Sequence, residues 1–278
     1  MDKKIWFITG ISSGLGKALA QAVIDSGDYV IGTLRTKEQV ETFNKQHSGK
    51  ARAYALDLKQ VVNIDKVVNQ AISEFGSIDV LVNNAGVGFI GAVEEASFEE
   101  IRNTFEVNFF SALRLTQACL PHFRKQRSGH IIQVSSHGGI KAFAGFGIYN
   151  ASKFALEGFS EALAQEVAAL GIHISIVEPG PFKTNFASGS LPEARNVIED
   201  YNDTAGAFRA KLKSVNGHQE GDPKKAANAI LKLVNSQNPS LRLPLGKTAL
   251  KTIQMKLDSV KSDLETNRKI AEEVVFDQ

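Results

Sequence analysis

Short apolar runs alternating with stretches of helical spacing fill the first 180 residues, and that alternation leaves few folds open. Residues 5–8 form a continuous apolar run closed by Thr9-Gly10, the pattern of a strand buried on both faces. Leu15, Leu19, Ala22 and Val23 then follow helical spacing up to Gly27. The sequence predicts further strands at 29–33, 51–56, 78–82, 130–134 and 173–177, the last stopped by Pro179-Gly180. Between them it predicts helices over 37–47, from Ile64 to Phe75, over 97–123, and from the Tyr149 region to Gly171. Strands alternating with helices of this length need right-handed crossovers and a parallel sheet covered on both faces. The expectation is an α/β, doubly wound parallel sheet of Rossmann type.

Beyond Pro179 the pattern changes. Residues 181–221 are poor in aliphatic side chains and punctuated by Gly, Ser, Asn and Asp, with Phe182, Phe186, Tyr201 and Phe208 scattered through them. A loop this long in a compact domain is usually a lid or a surface excursion. Asp222-Pro223 starts another helix as N-cap and first-turn proline, and residues 241–243 suit a last strand. Leu250, Ile253, Leu257, Val260 and Leu264 then mark a terminal helix with a narrow apolar stripe, which would pack on its own domain or on another subunit. The expected organisation is one domain over 1–278: a core at 1–180, a lid-like insertion at 181–221 and C-terminal helices at 222–278.

Composition narrows the function classes. Thirty-two basic residues against thirty acidic ones leave a net charge of +2, which gives no reason to invoke nucleic acid or an anionic membrane. No segment has the length of an apolar membrane span, and the apolar run before Gly10 is too short for the core of a signal peptide. The lone Cys119 has no disulfide partner and falls in an apolar helical pattern. A cytoplasmic protein is expected, with no metal site.

Two stretches carry chemistry. Tyr149 and Lys153 lie four residues apart, hence on one helix face. A phenol ionises near pH ~10, and an ammonium one turn away should draw that value down, making the ring a usable acid or base. The second stretch, from Thr9 to Gly16, stands where a strand hands over to a helix. Glycines there let backbone N–H groups approach a pyrophosphate at the helix's positive end. Their spacing, G-x-x-x-G-x-G, departs from the general dinucleotide fingerprint.

With these motifs the chain resembles the short-chain dehydrogenase/reductase family, from Lys3 to about Thr184. The resemblance rests on the glycine stretch at 9–16, Asp57, Asn83-Asn84-Ala85-Gly86, Asn108, Ser136, Tyr149 with Lys153, and Pro179-Gly180 followed by Thr184. It implies a nicotinamide dinucleotide held by Gly10, Ser12, Ser13, Gly14, Leu15 and Gly16. Asp57 and Leu58 would lie at the adenine, Asn84, Ala85 and Gly86 along the adenosine and ribose side, and Pro179, Gly180 and Thr184 at the nicotinamide. Tyr149 would exchange the proton and Ser136 would bond the substrate oxygen, the neighbouring Ser135 being the alternative on composition alone. Lys153 would hold the ribose and lower the tyrosine pKa, and Asn108 would position a water leading from Lys153 to solvent.

Cofactor choice follows from charge. A carboxylate closing the second strand would bond the ribose hydroxyls of NAD and repel a 2′-phosphate. This chain has Arg35 there, whose guanidinium suits a phosphate, so NADP(H) is expected over NAD(H). No basic residue supports it within the glycine stretch, where Ser12 and Ser13 stand. The resemblance places an apolar carbonyl or alcohol substrate against Val87, Phe89, His137, Phe143, Phe146, Phe182 and Phe186. It implies a homodimer or homotetramer joined through the helices at 97–123 and 149–170. The rival readings are an epimerase or dehydratase using the same tyrosine, and a cofactor-sensing protein without catalysis.

Overall fold

On β1 (Ile5–Ile8), side chains alternate between two apolar layers: Trp6 and Ile8 face one, Phe7 the other. The same alternation recurs on the strands beside it, because successive strand residues point to opposite faces. A strand with two apolar faces is stable only with helices on both sides.

The computed structural model describes residues 3–184, 191–215 and 217–276. Seven parallel strands form one sheet in the order β3-β2-β1-β4-β5-β6-β7. These are β2 (Tyr29–Leu34), β3 (Ala51–Ala55), β4 (Val80–Asn83), β5 (Gly129–Val134), β6 (Ile172–Pro179) and β7 (Arg242–Leu245). Helices α1 (Gly14–Asp25) and α8 (Pro223–Val234) cover one face, burying Leu19, Val23, Ile230 and Leu233. On the other face, α3 (Ile64–Phe75), α5 (Ser111–Gln126) and α6 (Gly147–Val167) bury Val68, Leu115, Cys119, Phe123 and Leu163. Each large side chain removed from water in this way contributes roughly 1.5–3 kcal/mol. Helix α2 (Lys37–Gln46) has no fully buried residue; a capping box of Thr36 and Gln39 opens it, Val40 and Phe43 pack partly buried on the core, and Asn44 bonds the backbone of Ala53.

The helix expected over 97–123 is more than one piece. Ser97 and Glu100 form a capping box that opens α4 (Phe98–Phe105), a five-residue π-helical segment (Glu106–Phe110) follows, and α5 continues to Gln126. The stretch expected as a lid-like loop is partly helical. A 3₁₀ turn (Glu199–Tyr201), a π-helical turn (Asn202–Gly206) and α7 (Ala207–Ser214) fold within it. Its anchor is Arg209, paired with the buried Glu95 at 3.2 Å and with Glu193. Burial pushes the Glu95 carboxyl up, but N–H bonds from Ile198 and Ala92 and the Arg209 guanidinium bring it below the ordinary range. Phe186 lies outside the described residues.

Asp222 caps α8 through the N–H of Lys224, with Pro223 in the first turn, as its sequence predicts. Helix α9 (Lys247–Glu272) is held by its first turns: Ala249 is fully buried and Thr252 meets His137. From Leu257 to Phe276 every residue is exposed, so the distal stripe does not pack on this chain.

Candidate active site

Neighbouring crossovers run in opposite directions from β1 and β4, which opens a crevice at the carboxyl ends of the central strands. The turn after β1 enters that crevice through Gly10 and Gly14, both at positive φ (70° and 57°), where a side chain would strain the backbone. Thr9 ties this turn to the one after β4. Its hydroxyl accepts the N–H groups of Asn84 and Ala85, each at 3.0 Å, while the Asn84 amide donates to the carbonyls of Thr9 and Gly10. Ser13 takes the N-cap position of α1 without a side-chain cap bond, and no acidic residue occupies the first turn. The helix therefore presents its positive end to the crevice without an internal counter-charge.

The other expected binding residues surround this turn. Thr184 lies against Gly14, and Gly180 donates to the carbonyl of Leu245. Ser12 and Ser13 are exposed, and Arg35 is exposed just past β2. The Asp57 carboxylate accepts the N–H of Lys59, while Leu58 is buried in the core, as Leu15 partly is on the opposite face. Gly86 faces the catalytic side, where a Cβ built on it would stand 3.3 Å from Asn108 Oδ1 and 3.5 Å from Lys153 Nζ.

Helix α6 brings Tyr149 and Lys153 to the same place. Both are buried, Lys153 Nζ donates to the carbonyl of Val134 at 2.8 Å, and it lies 6.0 Å from the centre of the Tyr149 ring. Ser136, at the end of β5, shares a side-chain hydrogen bond with Tyr149 and accepts the N–H of Gly138 at 2.9 Å. Ser135 instead borders Glu157, so the tertiary structure separates the two serines. Burial pushes the Tyr149 phenol up to about 12, with the Ser136 bond opposing it, and pushes the Lys153 ammonium down to about 8. The expected lowering of the phenol is thus reversed: desolvation is the largest cause at both groups, raising the phenol and lowering the ammonium.

Asn108 sits on the π-helical segment, buried. Its amide oxygen accepts the N–H of Val87 at 2.8 Å, and its nitrogen donates to the carbonyl of Val87 and the hydroxyl of Ser152. It fixes the loop after β4 against α6 and makes no direct bond to Lys153. Asn150 does the same for the loop before α6, bonding Gly138 at 2.7 Å and Phe143 at 3.0 Å. Asn150 and Ser152 lie within the tyrosine–lysine stretch itself, but which backbone each would meet is not legible in that spacing.

The expected substrate residues divide. Phe146 stacks on Tyr149 with ring centres 4.2 Å apart, and Phe208 of α7 packs on Phe146. Phe143 meets the His137 ring at 5.2 Å, and His137 bonds Thr252 of α9 at 2.9 Å instead of pointing to solvent. Phe182, by contrast, packs on Gly221 and joins the α1/α8 core layer, and Phe89 is buried against Ile148 and Ala194. Two grooves of about 500 and 480 Å³ lie where residues 201–211 meet residues 141–145, lined in part by Val93, Gly145, Tyr201, Phe143 and Phe208. Among the described residues no cluster of three metal-ligating side chains occurs, and no helix is long and apolar enough to cross a membrane.

The family model described as short chain dehydrogenase matches residues 4–194. The chain belongs to that family. Within it, a 3-ketodihydrosphingosine reductase of Bacteroides thetaiotaomicron is 39% identical over 249 residues, covering 88% of this chain and 89% of that protein. Retinol dehydrogenase 8 of Bos taurus is 38% identical over 248 residues, covering 84% and 79%. The crystal structure of a short-chain dehydrogenase from Streptomyces avermitilis superimposes with a TM-score of 0.90 at 39% identity, covering 99% of this chain and all of that one. ElxO with NADP bound superimposes at 0.74 with 26% identity, covering 90% and 100%. The seven-stranded sheet of this short-chain dehydrogenase and its helical flanks are the fold of the family.

Proposed function

We propose that this short-chain dehydrogenase is an NADP(H)-dependent oxidoreductase interconverting a carbonyl and a secondary alcohol on a small, largely apolar substrate. The observation that carries the reading is the Ser136–Tyr149 hydrogen bond, set beside Lys153 at the carboxyl end of β5. The uncapped first turn of α1 and the glycine turn before it fit a dinucleotide pyrophosphate. Gly10, Ser12, Ser13, Gly14, Leu15 and Gly16 would hold it, with Arg35 at a 2′-phosphate and Asp57, Leu58, Asn84, Ala85 and Gly86 along the adenosine. Pro179, Gly180 and Thr184 would border the nicotinamide. When bound, that ring supplies or takes up a hydride.

The chain's own groups manage the oxygen. Ser136 donates to the substrate oxygen and stabilises the charge that grows there. Tyr149 stays a neutral phenol at neutral pH, the form that can give a proton to that oxygen during reduction. Lys153, held by Val134, keeps a positive charge beside the ring, and Asn108 braces the loop at Val87 that closes this side. Phe146, Phe143 and Phe208 exclude water and offer an apolar wall, which suits relatives named for 3-ketodihydrosphingosine and retinol. His137, bound to Thr252, links that wall to α9.

The test is oxidation of NADPH in the presence of a panel of medium- and long-chain ketones and aldehydes. Turnover is expected with wild type and is expected to drop by about 10²–10⁴ in Tyr149→Phe, the range of general acid catalysis. Tight NADPH binding with no turnover on any compound would count against the enzyme reading.

A further inference from the structure

Behind Lys153, away from the crevice, α6 carries an acidic residue that the mechanism above leaves unused. Glu157 follows Lys153 by one helical turn and is 4% exposed. Its Oε2 accepts from Arg242 of β7 at 2.6 Å, whereas Oε1 has no hydrogen-bond partner. Facing Oε1 is the hydroxyl of Ser135, the residue before Ser136, near enough to favour the charged carboxyl although no hydrogen bond of ordinary geometry joins them. Gly139 keeps this approach open, since a Cβ there would stand 2.5 Å from Ser135 Oγ and 3.0 Å from Glu157 Oε1. Arg242 also contacts Glu178 of β6, 1% exposed, and Glu161 on the next turn of α6.

One guanidinium thus serves three carboxylates, two of them buried. Full ionisation would leave net negative charge in a low-dielectric site, which is costly unless a further cation compensates it. The charged and titratable groups around Glu157 are Lys153 and Glu161 on α6, Glu178 on β6 and Arg242 on β7; the segment before α6 that meets it at Gly139 carries His137, which faces Thr252 instead. Arg242 is committed to all three carboxylates, and burial disfavours charge on His137. Lys153, one turn away, is the compensating cation: the Glu157 field opposes the desolvation that lowers its ammonium.

We propose that Glu157 is a positioning residue of the reaction: its carboxylate, fixed by Arg242 and facing Ser135, keeps Lys153 in its ammonium form beside Tyr149. The proposal rests on the assignment of Tyr149 and Lys153 as the reacting pair. It makes the pair a triad along one helix face, at 149, 153 and 157. As pH rises through neutrality Glu157 gains its charge, in the range where the buried lysine would otherwise lose its own.

The test reads Lys153 directly, in full-length protein labelled with ¹³C-lysine, with its Cε resonance assigned by its loss in Lys153→Arg. In Glu157→Gln the titration midpoint of Lys153 is expected to fall by at least about half a pH unit. The alkaline limb of carbonyl reduction should move down with it. Glu161→Gln, which touches the same arginine from an exposed position, should leave both in place. A purely structural role would lower the melting temperature of Glu157→Gln and leave the Lys153 midpoint unmoved, and that result overturns the proposal. Should Glu157→Gln not fold, Glu157→Met repeats the test without a polar atom to satisfy, and an unmoved midpoint in it is equally decisive. Since the resonance titrates with or without turnover, an inactive wild type would sink the enzymatic reading while the midpoint still decides this one.

Discussion

Tyr149 and Lys153 stand on one face of α6 because they are four residues apart, yet spacing says nothing of how dry that face is. The fold closes over them, and desolvation holds the phenol protonated and weakens the ammonium, the reverse of what the isolated pair would do. A similar division separates Ser135 from Ser136: adjacent in sequence, they point to opposite partners, Glu157 and Tyr149. Arg35 is the reverse case, an exposed residue whose role is read from charge alone. Arg35→Ala is expected to weaken NADPH roughly ten- to a hundredfold, the range of one charged hydrogen bond, with NADH little changed. Fluorescence titration of both cofactors checks this, and equal losses would remove the preference for NADP. His130 supplies a prediction about stability. It is buried, bonded to Ser175 at 3.0 Å, and burial, with His173 and Lys4, pushes it from 6.5 down to about 3. The unfolded chain therefore binds a proton that the folded one refuses, so stability is full above about pH 6.5 and lost as pH falls toward 3, by up to ~1.4 kcal/mol per pH unit. Glu157 acts with the opposite sign, since its folded carboxyl is raised from 4.5 to about 7 and its contribution declines as pH rises across that window. Melting temperatures of His130→Gln should accordingly fall less steeply below pH 6.5 than those of wild type.

Among the elements, the helical stretch from Ser97 to Gln126 shows what periodicity hides. Its apolar spacing marks a helix, but the π-helical turn that carries Asn108 leaves no signature in the sequence. Such turns shift the register of side chains and recur at functional sites; here Asn108 uses the shift to grip Val87 and Ser152. The lid region is a second example. Residues 207–214 are mostly good helix formers, but eight residues are too few to hold a helix alone, and Phe208 on Phe146 and Arg209 on Glu95 give α7 the tertiary contacts that fix it. Helix α9 is the opposite, legible as a helix and only partly packed. Ending the chain after Lys256 removes a stretch whose described residues are all exposed, and should change stability by less than about 1 kcal/mol, the scale of surface changes. Thermal or urea unfolding measures it; a larger loss would mean that the distal stripe is covered in solution.

For the whole molecule, parallel strands end on one side of the sheet, so the turns that follow β1 to β6 gather there although they are spread from Gly10 to Gly180 in the chain. Phe110 on the π-helical segment and Phe154 on α6 are 45% and 40% exposed, on the two helices through which the family resemblance implies association. Replacing both with glutamate is expected to turn a dimer or tetramer into a monomer by light scattering, and a monomeric wild type would exclude assembly through these helices. What the sequence alone determined is the class of fold and the family. Two-faced apolar strands admit only a sheet covered on both sides, and the family is legible in a whole set of motifs in one order, from the glycine stretch at 9–16 to Thr184, where no single motif would suffice. The tertiary structure decided the electrostatics: which serine meets the phenol, how far burial shifts each ionisable group, and that Arg242, ninety residues beyond Ser152, stands behind the lysine. Those depend on distances between segments remote in the chain, which no local pattern records.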